Sequence, residues 1–263
     1  MKFSEQDLPV GDYSIILPEV ETGKIEQDRE YCILKGNNGN GAQKIRFHDY
    51  GKIYSIPGLY ERLFYKKLKC SSPSTVCGYL RDVIEKDGSE PGDLKVLDLG
   101  AGNGMVGEEL SRIGVEQVCG IDIEDNAKKA VERDRPDIYD KYFVEDLTSI
   151  APSFRRELEE ESFNCMTTVA ALGFGDIPPL AFAEGFNLLL PSSYVAFNIK
   201  ETFLSDSDRS GFSSLIKKMI REGILDIHLQ ERYQHRISIQ GEPLYYIAII
   251  GKKLKDIPDD WVL

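Results

Sequence analysis

An α/β fold, a doubly wound and mostly parallel sheet of seven strands with an N-terminal cap and a closing antiparallel hairpin, is the architecture this sequence predicts. Three observations lead to it. Strand-like apolar runs recur near 95–99, 117–123, 141–144, 163–170 and 193–199 with helical stretches between them, the alternation that yields right-handed crossovers and a parallel sheet. The first of these runs ends in glycines at 100, 102 and 104, where a chain without Cβ atoms can turn tightly and approach a ligand. Finally, 224–231 and 243–251 are β-rich and flank a turn-like segment at Gln240-Gly241, the pattern of an antiparallel hairpin rather than another crossover.

The elements follow in order. Residues 1–70 differ in kind from the rest and read as a cap, with Tyr13, Tyr31, Tyr50, Tyr54, Tyr60 and Tyr65. Within it, runs 30–35 and 43–48 pair as a hairpin across a Gly36–Gly41 stretch of glycine and asparagine. Residues 71–263 form the second unit. Ser72-Pro73 opens a helix with Val76, Leu80, Val83 and Ile84 on one face and Gly88 as its stop. Met105 and Val106 begin the helix after the glycine loop, and 155–161 reads as a solvated, charged helix face. Phe212, Leu215, Ile216, Met219 and Ile220 share another apolar face, ended by Gly223. In the cap, Phe47, His48, Tyr50, Tyr54 and Tyr60 either line a substrate pocket or pack as ordinary aromatic core.

Charge and cysteine usage narrow the class. Lys and Arg number 32 against 44 Asp and Glu, a net charge of −12, so the basic stripe that displaces counterions from nucleic acid is missing and no nucleic-acid partner is expected. The acidic balance leaves a basic protein substrate open. Five cysteines without a C-x-x-C pair suit neither a disulfide framework nor a zinc site, and no metal is expected; Cys165, inside a strand, reads as core. The N-terminus lacks an apolar h-region, and the longest uncharged apolar run, 244–250, is far too short to span a bilayer, so a cytoplasmic protein without membrane contact is predicted.

Two ligands compete for the glycine loop. Gly102–Gly107 fits G-x-G-x-x-G and Asp122 lies twenty positions after Gly102, which formally satisfies a dinucleotide fingerprint and a NAD(P)-linked oxidoreductase. Asp98 argues against it, since a carboxylate at the end of the preceding strand opposes a pyrophosphate and suits a ligand carrying an ammonium and a sulfonium.

Val96–Gly104, Gly120–Ile123 and Val144–Leu147 resemble the first three motifs of the class I S-adenosylmethionine-dependent methyltransferases, the generic methyltransferase-domain group, and the likeness extends over about residues 70–252. It implies a Rossmann-like fold and S-adenosyl-L-methionine as cofactor. By the resemblance, Asp98, Gly100, Ala101, Gly102, Asn103 and Gly104 cradle the methionine end. Asp122, followed by Ile123, takes the ribose hydroxyls. Asp146, between Glu145 and Leu147, takes the adenine amino group, and Val169 closes the fourth strand beside the cofactor. Two departures stand out: Asn164 replaces the acid that often opens strand four, and Pro191-Ser192-Ser193 stands where Pro-Gly-Gly is usual. Residues 169–174 lack the Asn/Asp-Pro-Pro-Tyr of adenine-N6 and glutamine methyltransferases, so a small-molecule acceptor is expected, methylated by in-line displacement. A non-catalytic domain that binds the same cofactor is the other alternative. No catalytic residue is assigned. A base is needed only where the acceptor must lose a proton, and His48 is the candidate among three histidines, against an exposed hairpin histidine.

Overall fold

The computed structural model describes residues 13–19, 25–36 and 42–262. A seven-stranded sheet runs in the order β6-β5-β4-β7-β8-β10-β9. Its strands are β4 (Lys95–Leu99), β5 (Gln117–Asp122), β6 (Lys141–Val144), β7 (Cys165–Thr168), β8 (Tyr194–Lys200), β9 (Leu225–Ile237) and β10 (Pro243–Lys253). The first five are parallel, and β10 is antiparallel to both β8 and β9. Helix α2 (Ser72–Lys86) precedes these strands, and among the helices between them are α3 (Met105–Arg112), α4 (Asp125–Asp134), α5 (Pro152–Glu160), α6 (Pro179–Asn187) and α7 (Phe212–Arg221). Helix α2 buries Val76, Leu80, Val83 and Ile84, as its spacing predicts. Helix α7 buries Phe212, Leu215, Ile216 and Met219, whereas Ile220 turns to solvent.

The two departures from the family pattern have local structural uses. The Asn164 side chain accepts from the Lys95 amide (2.7 Å) and donates to the Asp93 carbonyl (2.9 Å), tying the starts of β4 and β7 together. Ser192 has φ +65°, the left-handed conformation a glycine would adopt freely.

The hairpin is longer than its apolar runs. β9 is a sheet edge, so its polar stretch from Glu231 to Arg236 still pairs with β10 while one face meets water. A register shift falls between Ile250 and Gly251, and a Cβ on Gly251 would sit 2.3 Å from the Asp226 carbonyl oxygen. Only glycine fits that irregularity.

In the N-terminal segment, β1 (Tyr13–Ile16), β2 (Tyr31–Gly36) and β3 (Ala42–Arg46) form a separate antiparallel sheet, followed by α1 (Tyr50–Ser55) and a π-helical stretch, Glu61–Lys67. The expected hairpin strands pair, Tyr31 with Arg46 through Lys35 with Ala42; the turn at 37–41 lies outside the described residues. Cys32, Ile45, Phe47, Ile53, Leu59, Leu63 and Leu68 form the core of this layer together with Ile239 of the hairpin turn. Buried Glu30 fixes the junction: it takes the Arg236 guanidinium and the Ile239 amide, the latter at 2.7 Å. Among the described residues no helix is long and apolar enough to cross a membrane.

Candidate functional site

A cavity of about 370 Å³ opens at the carboxyl ends of the parallel strands, beside the point where β4 is flanked by β5 on one side and β7 on the other. In an open α/β sheet this is the place where loops diverge and leave a crevice. Of the residues singled out in the sequence, Gly100, Asp122, Ile123, Glu145, Asp146, Leu147 and Val169 line it. Ala101, Gly102, Asn103, Gly104 and Asp98 are not on its wall; Ala101 and Asn103 are buried.

Hydrogen bonds explain that division. The Gly100 and Ala101 amides both donate to the Ile121 carbonyl (2.8 and 3.1 Å), and the Gly102 amide donates to Asp122 Oδ2 (2.8 Å). The loop is thus folded onto the end of β5. Asp122 Oδ1 accepts from the Glu124 amide (2.9 Å), so this carboxylate organises its own strand end as well as the loop. Burial pushes the Asp122 carboxyl up, against these amide hydrogen bonds. Asp146 accepts from the Thr148 hydroxyl (2.7 Å) and amide (2.8 Å), which hold its carboxyl below the ordinary range.

Gly102 has φ +54°, and a Cβ there would stand 2.6 Å from the Tyr54 hydroxyl. Gly102→Ala is therefore expected to cost about 1–2 kcal/mol from backbone conformation alone, and more from the Tyr54 contact. Thermal denaturation checks this: adding Tyr54→Phe should recover part of the lost Tm, and a double variant no better than Gly102→Ala would remove Tyr54 from the account.

Asp98 corrects the sequence reading. Instead of facing a ligand it is fully buried beneath the loop, accepting from the Tyr139 hydroxyl (2.7 Å) and the Thr167 hydroxyl (2.7 Å). Burial pushes its carboxyl up to about 6, the two hydroxyl donors pull it down, and the Asp122 charge adds to the rise. With the folded-state value above the unfolded one, near 3.9, the native protein holds this proton more tightly. Stability from this group is complete below about pH 4 and is lost as pH rises through about 6, roughly 3 kcal/mol in all. Asp98→Asn should consequently raise Tm at pH 8 and much less at pH 5 in calorimetric scans. A loss at pH 8 would mean that the two hydroxyl hydrogen bonds outweigh burial of the charge.

The negative charge at the cavity comes from elsewhere. Asp122, Glu124, Glu145, Asp146 and Asp176 all line it, and among the described residues no Lys or Arg does. Opposite them the N-terminal segment contributes His48, Tyr50, Tyr54 and Tyr60. Tyr50 stacks on Tyr54 (ring centroids 5.9 Å apart) and Tyr54 meets Tyr60 at 5.3 Å. Phe47 faces away, edge-on to Phe64 at 5.4 Å inside the N-terminal core.

Two features were not legible in the sequence. One is a buried ionic cluster beneath the loop: Arg135 donates to Glu61 Oε1 (2.7 Å), Glu108 Oε2 (2.9 Å) and the Asn103 carbonyl (3.1 Å), while the Asn103 amide group also donates to Glu61 (2.6 Å). The other is Asp176, paired with His48 Nδ1 at 3.0 Å. Asp176 stands in the loop after β7, where the non-glycine residues Ala170 and Phe174 have φ +58° and +54°. Asn198 Oδ1 holds the Ala170 amide at 2.6 Å. Strain of this kind, of order 1 kcal/mol or more per residue, persists where the surroundings over-determine it, commonly at ligand sites. The only sequence signal was the Gly173-Phe174-Gly175-Asp176 run beyond a buried strand. Neither other histidine reaches the cavity: His235 is buried against the Ser72 hydroxyl (2.6 Å), and burial lowers its pKa, while His228 lies beside Asp87 and Asp226.

Residues 97–197 match the profile of a methyltransferase domain family. A S-adenosylmethionine-dependent methyltransferase of Anabaena variabilis superposes with a TM-score of 0.50 at 13% identity, covering 80% of this chain and 96% of that one. A candidate RNA methyltransferase of Pyrococcus horikoshii gives 0.50 at 14% identity, over 71% and 88% of the two chains. At such identity the likeness is one of fold. No curated protein sequence matches the chain.

Proposed function

We propose, given that residues 97–197 match a methyltransferase domain family, that this chain is a class I S-adenosylmethionine-dependent methyltransferase and transfers a methyl group from S-adenosyl-L-methionine to a small-molecule acceptor by in-line displacement. The sign of the cavity carries the reading. Five carboxylates, with no lining Lys or Arg among the described residues, suit a ligand bearing an ammonium and a sulfonium and oppose the pyrophosphate of a nicotinamide dinucleotide. The discrimination that Asp98 was expected to make is thereby made by Asp122, Glu124, Glu145, Asp146 and Asp176.

In this reading Gly100 meets the methionine end at the cavity wall, and Ala101–Gly104, folded behind it, shape that wall with Asp98 buried beneath. Asp122 accepts the ribose hydroxyls, Asp146 the adenine amino group, and Ile123, Glu145, Leu147 and Val169 flank the nucleoside. Residues 1–70 act as a cap on a catalytic domain of 71–263. The cofactor supplies a methyl already on a good leaving group, so alignment and exclusion of water are the protein's main tasks, and alignment alone is worth about 7–11 kcal/mol of barrier.

Thermal shift tests the reading directly. S-Adenosylhomocysteine at a hundredfold its Kd should add about 2.7 kcal/mol of stability. NADH should add none; protection by NADH alone would replace this reading with an oxidoreductase.

A further inference from the structure

We propose that His48 is the general base of this site, oriented by Asp176, and that the acceptor it serves carries an aromatic hydroxyl group. The inference rests on the methyltransferase reading and adds to it the class of acceptor.

The geometry comes first. His48 Nδ1 lies 3.0 and 3.2 Å from the two oxygens of Asp176, both side chains are mostly buried, and both line the cavity. A carboxylate on Nδ1 holds the proton there and leaves Nε2 as the basic nitrogen. No hydrogen-bond partner for Nε2 is found among the described residues. The chain around Asp176 also adjoins the glycine loop. Asp176 is followed by Ile177, whose Cδ1 would lie 2.7 Å from a Cβ on Gly100, the start of the loop expected to hold the methionine end.

The surroundings select the acceptor. His48 sits edge-on to Tyr50 (5.9 Å) and against Phe174 (5.2 Å), an aromatic setting that suits a planar ring. A carboxylate acceptor would need no base and would meet five negative charges. A neutral amine attacks through its own lone pair. A hydroxyl must give up its proton to become an effective nucleophile, and an imidazole is the cavity side chain suited to take it near neutrality. As the acceptor oxygen forms its bond to the methyl carbon, its proton passes to His48 Nε2. The carbon–sulfur bond breaks with its electron pair on sulfur, leaving the thioether S-adenosylhomocysteine. Asp176 stabilises the imidazolium until it releases the proton to water.

The test uses the full chain with labelled S-adenosylmethionine and four probes: catechol, 4-methylphenol, 2-naphthol and 4-nitrothiophenol, the last ionised at neutral pH and needing no base. Methylation of at least one phenol is expected. His48→Gln should lower its kcat by about 10²- to 10⁴-fold, and Asp176→Asn by at least about tenfold, since the wrong ring tautomer is then favoured. In His48→Gln, affinity for S-adenosylhomocysteine should stay within about threefold of the parent protein, a change of about 0.65 kcal/mol. Any 4-nitrothiophenol turnover should survive His48→Gln, and imidazole should partly restore phenol turnover to His48→Ala. A pair serving only to fasten the cap would show none of this selectivity. Unchanged phenol turnover in His48→Gln overturns the proposal, as does a protein that binds S-adenosylhomocysteine and methylates no phenol. If the parent protein binds no S-adenosylhomocysteine, the cofactor reading itself fails.

Discussion

Asp122→Ala is expected to weaken binding of S-adenosylhomocysteine by about 100-fold or more, as titration calorimetry at neutral pH would measure. In the proposed placement, two charge-assisted hydrogen bonds from ribose hydroxyls to this carboxylate would each be worth about 1.5–3 kcal/mol, and both would vanish with it. The same substitution strips the Gly102 amide of its 2.8 Å acceptor and the Glu124 amide of its 2.9 Å acceptor, so the loop loses its tie to β5 at the same time. Asp122→Asn separates the two contributions, because its single carbonyl oxygen can still receive one amide. A small effect of Asn beside a large effect of Ala would show that Asp122 acts through the loop. Unchanged affinity in both would place the ribose elsewhere.

Arg135→Met is expected to lower Tm by roughly 10 °C, as a thermal denaturation scan would show. Removing one member of a buried ion pair leaves the other charge desolvated, at a cost of about 3–5 kcal/mol, and for a chain of this size each kcal/mol shifts Tm by about 2–4 °C. Arg135 is the hub between Glu61 of the π-helical stretch, Glu108 of α3 and the Asn103 carbonyl of the glycine loop. Among the described residues Glu61 Oε2 has no hydrogen-bond partner, so loss of Arg135 leaves this buried carboxylate with the Asn103 amide on Oε1 alone. Adding Glu61→Leu should restore a substantial part of the loss, because an apolar pair of similar volume avoids burying charge. Additive losses in the double variant would show that Glu61 and Arg135 are not energetically coupled. Arg135→Met should also weaken S-adenosylhomocysteine binding, since the loop and the N-terminal layer share this anchor.

Much of the sheet could be read in the chain because its signals are local. Apolar runs of strand length alternated with amphipathic helices, and β4, β5 and β6 fell where those runs stood. β7 is shorter than its apolar run, since the chain leaves the sheet after Thr168 and enters the strained loop at Ala170. β9 is longer than its run, because pairing at a sheet edge does not require both faces to be apolar. The site was legible to the extent that its residues sit at strand ends, where Gly100, Asp122 and Asp146 converge on one cavity.

What the sequence determined by itself is therefore the order of strands and helices and the strand-end acids and glycines, all features carried within short stretches of chain. Asp98, read from the same stretch, has the right position along the strand but faces the interior, where Tyr139 and Thr167 meet it across gaps of 41 and 69 residues. Tertiary structure alone decided that orientation, the Glu61–Arg135–Asn103 anchor and the pairing of His48 with Asp176, 128 residues apart. The reason is physical: a buried charge needs a partner, and which distant residue supplies it depends on how layers pack, which no local pattern of residues records.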